Sequence, residues 1–264
     1  MQTTGDAVTT ALIRSRCDTW VTTWPGEATR FGIHQHDGVL PDLSRAAKLA
    51  DIQADHVFVR QLEAVDASGL SPRVAFEREL ALHSARLRLF EAEVVRNWER
   101  TTGASEQIGV ALFMLAARDF ATLEQRLVSM TSRIEGIPTA LAQARDRLGH
   151  DAVRLWLELE AAAATDLPGQ LHEIEASAAD VWPADSADAK RLRAAARAAE
   201  TALHDYAAWV RSRLASAGER MALGRDELDD LVGLRAFDGL TTEDILAIGW
   251  EQLEVQHEAR REAG

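Results

Sequence analysis

Apolar residues recur at steps of three and four along nearly the whole chain, and this periodicity constrains the fold more than any other feature. Between residues 72 and 100, Phe76, Leu80, His83, Leu87, Phe90, Val94 and Trp98 draw one stripe along a helix, with Arg and Glu filling the other side. Pro72 suits a first helical turn, where a missing N–H does no harm. A second stripe, Phe120, Leu123, Leu127, Met130 and Ile134, follows Asp119, the expected N-cap. Pro138 then predicts a restart in a new helix that Gly149 ends. A long helix is expected after Ser186, carrying Leu192, Ala196, Ala199, Leu203, Tyr206, Val210 and Leu214. Another opens at Thr242 and runs through Ile245, Leu246, Gly249 and Leu253. Shorter helices are expected at 6–23, 44–66, 104–117, 151–164, 168–180 and 225–234.

No stretch alternates apolar and polar residues between hairpin turns. The reading is therefore all-α: a multi-helix array of long amphipathic antiparallel helices. It forms a single domain over residues 1–264. Residues 15–43 give the first helix end and a packed loop, 44–183 a helical array, and 184–264 a long helix plus C-terminal helices.

Charge narrows the partners. With 29 Lys plus Arg against 42 Asp plus Glu, the formal net charge is −13. No basic stripe is available to displace counterions from phosphates, so neither nucleic acid nor an anionic membrane is an expected partner. The longest nearly unbroken apolar run, Ile108 to Ala117, is far short of the ~20 residues needed to cross a bilayer. The first residues have neither the basic head nor the apolar stretch of a secretory signal, so a cytoplasmic address is expected. The lone Cys17 excludes an internal disulfide and any cysteine-based metal site.

The candidate chemistry is sparse. His34, His36 and Asp37 form the densest cluster of possible ligands, inside a Gly- and Pro-containing segment. They suit a hydrogen-bonded structural loop better than a metal site, which requires a further ligand that no spacing singles out. The same three residues also suit the wall of a groove or pocket. His83, on an apolar stripe, reads as a core histidine. His172-Glu-Ile-Glu and His257-Glu-Ala-Arg-Arg begin like the helical zinc motif, but Ala176 and Arg261 stand where the second histidine is required. Paired carboxylates such as Glu91 with Glu93 read as solvated helix faces. Trp20, Trp98, Trp156 and Trp209 read as core and interface fillers. No serine-nucleophile elbow, dinucleotide fingerprint or phosphate loop occurs. No catalytic or metal-ligating residue is assigned.

Three stretches, in order and spacing, carry a resemblance. They are Glu27 to Ser44; Leu115-Ala-Ala-Arg-Asp-Phe-Ala121 with Arg133-Ile-Glu-Gly-Ile-Pro138; and Leu223-Gly-Arg225 with Leu240-Thr-Thr-Glu-Asp-Ile-Leu-Ala-Ile-Gly249. Over roughly residues 16–260 the chain resembles the N-terminal half of the bacterial domain-of-unknown-function 885 family. That family looks related to helical gluzincin metallopeptidases of the carboxypeptidase Taq and angiotensin-converting-enzyme type. The resemblance implies one half of a grooved, helical peptidase-like fold that takes a peptide-like substrate. It also implies zinc, held by a His-Glu-x-x-Pro-Gly-His segment in a C-terminal half. No position here matches that segment, so the chain is expected to be truncated and inactive alone. Its expected partners are the missing half or a second copy. The alternative is a stand-alone helical binding or scaffold protein without catalytic activity.

Overall fold

The structure, a computed structural model, describes residues 4–235 and 239–263; the remaining residues of the expected 1–264 domain lie outside the described residues. The elements are α1 (Thr4–Thr23), α2 (Pro25–Arg30), α3 (Arg45–Glu63), α4 (Pro72–Phe90), a π-helical turn (Glu91–Val95) and α5 (Asn97–Arg100). They continue as α6 (Ala104–Ala117), α7 (Leu123–Arg147), α8 (Arg154–Ala178), α9 (Ala187–Arg213), α10 (Arg225–Arg235) and α11 (Thr242–Ala263). The fold is all-α, as the periodicity requires. Among the described residues the nearest approach to a sheet is one isolated bridge between Val153 and Gly218.

Helices α6 to α9 enclose the main core, built from Leu112, Leu115, Leu127, Ile134, Ile137, Leu157, Leu171 and Leu203 among others. Each such side chain contributes roughly 1.5–3 kcal/mol by leaving water. Ala161 and Ala164 in α8 and Ala196 and Ala199 in α9 are buried, and side chains this small suit close helix packing. Glu160, early in α8, meets Tyr206, late in α9, while His172, further along α8, pairs with Glu200, earlier in α9. The two helices therefore run antiparallel. A smaller cluster of Phe58, Leu62, Leu82 and Ala85 holds α1, α3 and α4 together.

Several boundaries differ from expectation. Pro138 does not restart a helix: α7 runs through it, and α8 likewise runs through Pro168, fusing the two helices expected at 151–164 and 168–180. An interior proline costs ~3 kcal/mol. Here buried apolar residues on both sides of each proline outweigh it: Ile134, Ile137, Leu141 and Ala144 in α7, and Ala164, Leu167, Leu171 and Ile174 in α8. Thr122 rather than Asp119 caps α7, through a capping box in which Thr122 Oγ1 accepts from the Gln125 amide. The expected loop 25–43 opens with α2, which has Pro25 at its first turn. Helix α4 buries the face carrying Val74, Arg78, Leu82, Ala85 and Leu89, leaving Phe76 and Leu80 of the predicted stripe 66% and 41% exposed. The reason is Arg78. Its guanidinium Nε donates to the Leu62 carbonyl at 2.9 Å, so a charged residue sits on the packed face and hides it from apolar periodicity.

Candidate functional site

A cavity of about 640 Å³ opens where the α1/α3/α4 cluster meets the main bundle. Four of the chain's seven tryptophans line it: Trp20 from α1, Trp24 ahead of α2, Trp98 from α5 and Trp156 from α8. Trp20, Trp98 and Trp156, read from sequence as fillers, are half-buried like Trp24 and line the open volume. Lys48, Asp51 and Asp55 enter from α3, Arg88 from α4, Glu91 from the π turn, and Leu231 and Arg235 from α10.

The wall nearest α4 owes its shape to the backbone. After Phe90 the helix widens into the π turn, and Arg96 then takes a left-handed conformation, φ 56°. This reversal lets α5 fold back, so that Trp98 Nε1 donates to the Ala92 carbonyl at 2.7 Å. Widened turns of this kind recur at functional sites. Arg45 lies over the Trp98 ring at 4.9 Å and donates to the buried Glu99 at 2.7 Å, which also pairs with Arg96. Arg100 lies 5.1 Å over the Trp156 ring.

The polar side of the cavity is an ion network. Asp55, 3% exposed, receives Arg88 Nε at 2.9 Å and Nη2 at 2.7 Å, and Arg16 Nε at 2.9 Å. Burial alone would raise its pKa, but the hydrogen bonds from Arg88 and Arg16 win and hold it below the usual carboxylate range. Arg16 also donates from Nη2 to Asp51 at 2.7 Å. Burial pushes the Lys48 ammonium down, only partly offset by Asp51 and Asp55. At the rim Arg235 donates to Glu91, and His56 pairs with Glu93, each at 2.8 Å. Of the acidic pair Glu91 and Glu93, expected to be a solvated face, both remain partly exposed, Glu91 ion-paired with Arg235 and Glu93 in hydrogen-bond contact with His56. A second, more apolar groove of about 380 Å³ between α1 and α4 shares Trp20 and Arg88 with the first and is bordered by the exposed Cys17.

His34, His36 and Asp37 lie elsewhere; none of them lines the main cavity. His34 Nδ1 is 2.9 Å from Asp37 Oδ2, and its ring stacks on Phe120 at 3.7 Å. Thr29 Oγ1 donates to Asp37 at 2.6 Å and accepts from Arg133 Nη2 at 2.8 Å, while Arg133 Nη1 donates to the Ala111 carbonyl. Burial lowers the Arg133 pKa to about 10, with Asp37 opposing the shift. This chain of contacts pins the loop after α2 onto α6 and α7. His36 makes no contact in that chain, and His83 is half-buried rather than core.

Zinc, which the resemblance implies, does not fit these residues. Among the described residues no group of three His, Cys, Asp or Glu side chains could hold a metal ion, and His34 is already committed to Asp37 and Phe120. No described helix is long and apolar enough to cross a membrane.

An all-helical bundle with an aromatic, ion-paired cavity at the junction of its two clusters defines the class of protein. The chain belongs to the family described as bacterial protein of unknown function (DUF885), whose profile matches residues 25–263. In fold it is similar to a solved candidate lipoprotein of unknown function from Shewanella oneidensis, with a TM-score of 0.78 at 17% identity. That alignment covers 97% of this chain and 46% of the other, so the chain spans about half the length of the solved structure it matches. No curated protein matches it.

Proposed function

We propose that this chain is the helical, groove-forming portion of a zinc-metallopeptidase-like hydrolase family protein, holding a peptide-like substrate without a catalytic zinc motif of its own. The observation that carries the reading is the tryptophan-lined cavity. Its volume, about 640 Å³, lies in the range of small-ligand sites, ~300–1,000 Å³. Flat indoles suit apolar side chains, and charged groups of both signs suit the amides and ends of a short peptide. The family resemblance supplies the reaction class; the cavity supplies a place for the substrate.

The test is a titration of the purified protein with short peptides, read by tryptophan fluorescence. A saturable response is expected, weakened about tenfold by Trp156→Leu, an indole that forms part of the cavity wall. An absent response from every peptide would refute substrate binding. Peptide hydrolysis by the purified chain would refute the lack of its own catalytic apparatus.

The stand-alone scaffold reading is favoured by α11, where Leu246, Trp250 and Leu253 are 57%, 61% and 43% exposed. Under that reading peptides leave the fluorescence unchanged, while solvent shielding of Trp250 rises on association with a protein partner.

A further inference from the structure

The charges around the cavity do not cancel in pairs. Asp51 and Asp55 are taken by Arg16 and Arg88 at 2.7–2.9 Å, Glu91 by Arg235 at 2.8 Å, and Glu27, the remaining acid of the lining, by Arg30 at 3.5 Å. Lys48 has no acid of its own. Its Nζ stands 4.0 Å from Asp51 Oδ2, beyond hydrogen-bond reach, and 5.9 Å from the centroid of the Trp24 ring. The packed set of Arg16, Lys48 and Arg88 against Asp51 and Asp55 therefore carries one surplus positive charge. Only 20% of the Lys48 side chain is exposed, so water compensates that charge poorly.

We propose that Lys48 is the anchor for the carboxylate of an organic monoanion whose apolar body lies against the cavity's indoles. One surplus charge matches a carboxylate; a phosphate dianion would leave the partly dry site negative. The four tryptophans favour an aromatic or branched apolar body over a small polar acid. The assignment rests on the peptide-groove reading only for the source of the carboxylate, a peptide's free end rather than a small free acid.

The experiment compares N-acetyl-alanyl-phenylalanine, its C-terminal amide, phenylpropionate and phenyl phosphate by calorimetry and tryptophan fluorescence. The acid is expected to bind at least about tenfold tighter than the amide, from one charge-assisted hydrogen bond. Lys48→Met should abolish that preference and Lys48→Arg should keep it. The acid–amide comparison in the unsubstituted protein stands even if a variant fails to fold. Equal binding of acid and amide, survival of the preference in Lys48→Met, or tighter binding of phenyl phosphate than of phenylpropionate overturns the carboxylate anchor and leaves the peptide groove standing. Lys48-dependent binding of phenylpropionate without either peptide supports the anchor and removes the peptide groove. Binding of none of the four overturns both.

Discussion

Replacing Asp55 by Asn attacks the contact that ties α1, α3 and α4 into one wall of the cavity. The carboxylate is 3% exposed and receives three guanidinium hydrogen bonds, two from Arg88 and one from Arg16. Asparagine keeps the shape but turns an NH2 group toward two cations. Breaking a buried ion pair costs ~3–5 kcal/mol. The lower end applies here, because the Arg88 side chain is 39% exposed and regains water when released. A loss of about 3 kcal/mol is therefore expected, lowering the thermal midpoint by roughly 6–12 °C in a chain of this size.

Urea titrations followed by circular dichroism, repeated at several pH values, check both size and origin. Folding depresses the Asp55 pKa, so its stabilisation is fully present above the unfolded value of ~3.9 and fades as the pH falls toward the folded value. The stability gap between the unsubstituted protein and Asp55→Asn should accordingly narrow below about pH 4. A gap that stays constant down to acid unfolding, or one under ~1 kcal/mol at neutral pH, would refute the ion network as the cause.

Three further outcomes follow from the packing. Thr122→Ala removes the capping box of α7 and should lower stability by ~1 kcal/mol in the same urea assay. Leu157→Ala, at a side chain with no exposed surface in the main core, should cost ~3 kcal/mol. A chain ending at Arg235 should unfold within ~0.5 kcal/mol of the full chain, since every residue from Glu243 to Glu262 is exposed. A larger loss on that truncation would mean that α11 is packed in solution.

Helix type and most helix positions were legible because the core faces of α7 and α9 are apolar at a strict helical step, as in Leu127, Met130 and Ile134 or Leu192, Ala196, Ala199 and Leu203. Ser186, with its hydroxyl on the Ala189 amide, announces its helix equally plainly. Prolines misled: Pro138 and Pro168 are local breakers overruled by tertiary burial, which sequence windows do not contain. The cavity was hidden for a different reason. Its tryptophans are scattered from residue 20 to 156, and indoles lining a cavity have the same helical spacing as indoles filling a core. The one available signal was Lys48, a lysine on the same helical stripe as Ile52, Val59 and Leu62, which brings it near the packed side of α3. The His34, His36 and Asp37 cluster drew notice by density alone, yet Asp37 turns to Thr29, eight residues back, and Thr29 in turn to the distant Arg133.

The widened turn at Glu91–Val95 amounts to one residue more than an α-helix of the same span would hold. Deleting a single residue there would let the segment relax to ordinary α-helix and swing everything immediately after it by ~100° about the axis. Trp98 would leave the Ala92 carbonyl, and Glu99 would be carried away from Arg45. The chamber thus depends on chain length at one spot as strictly as on side-chain identity, so a one-residue gap in that turn marks a relative whose chamber is built differently.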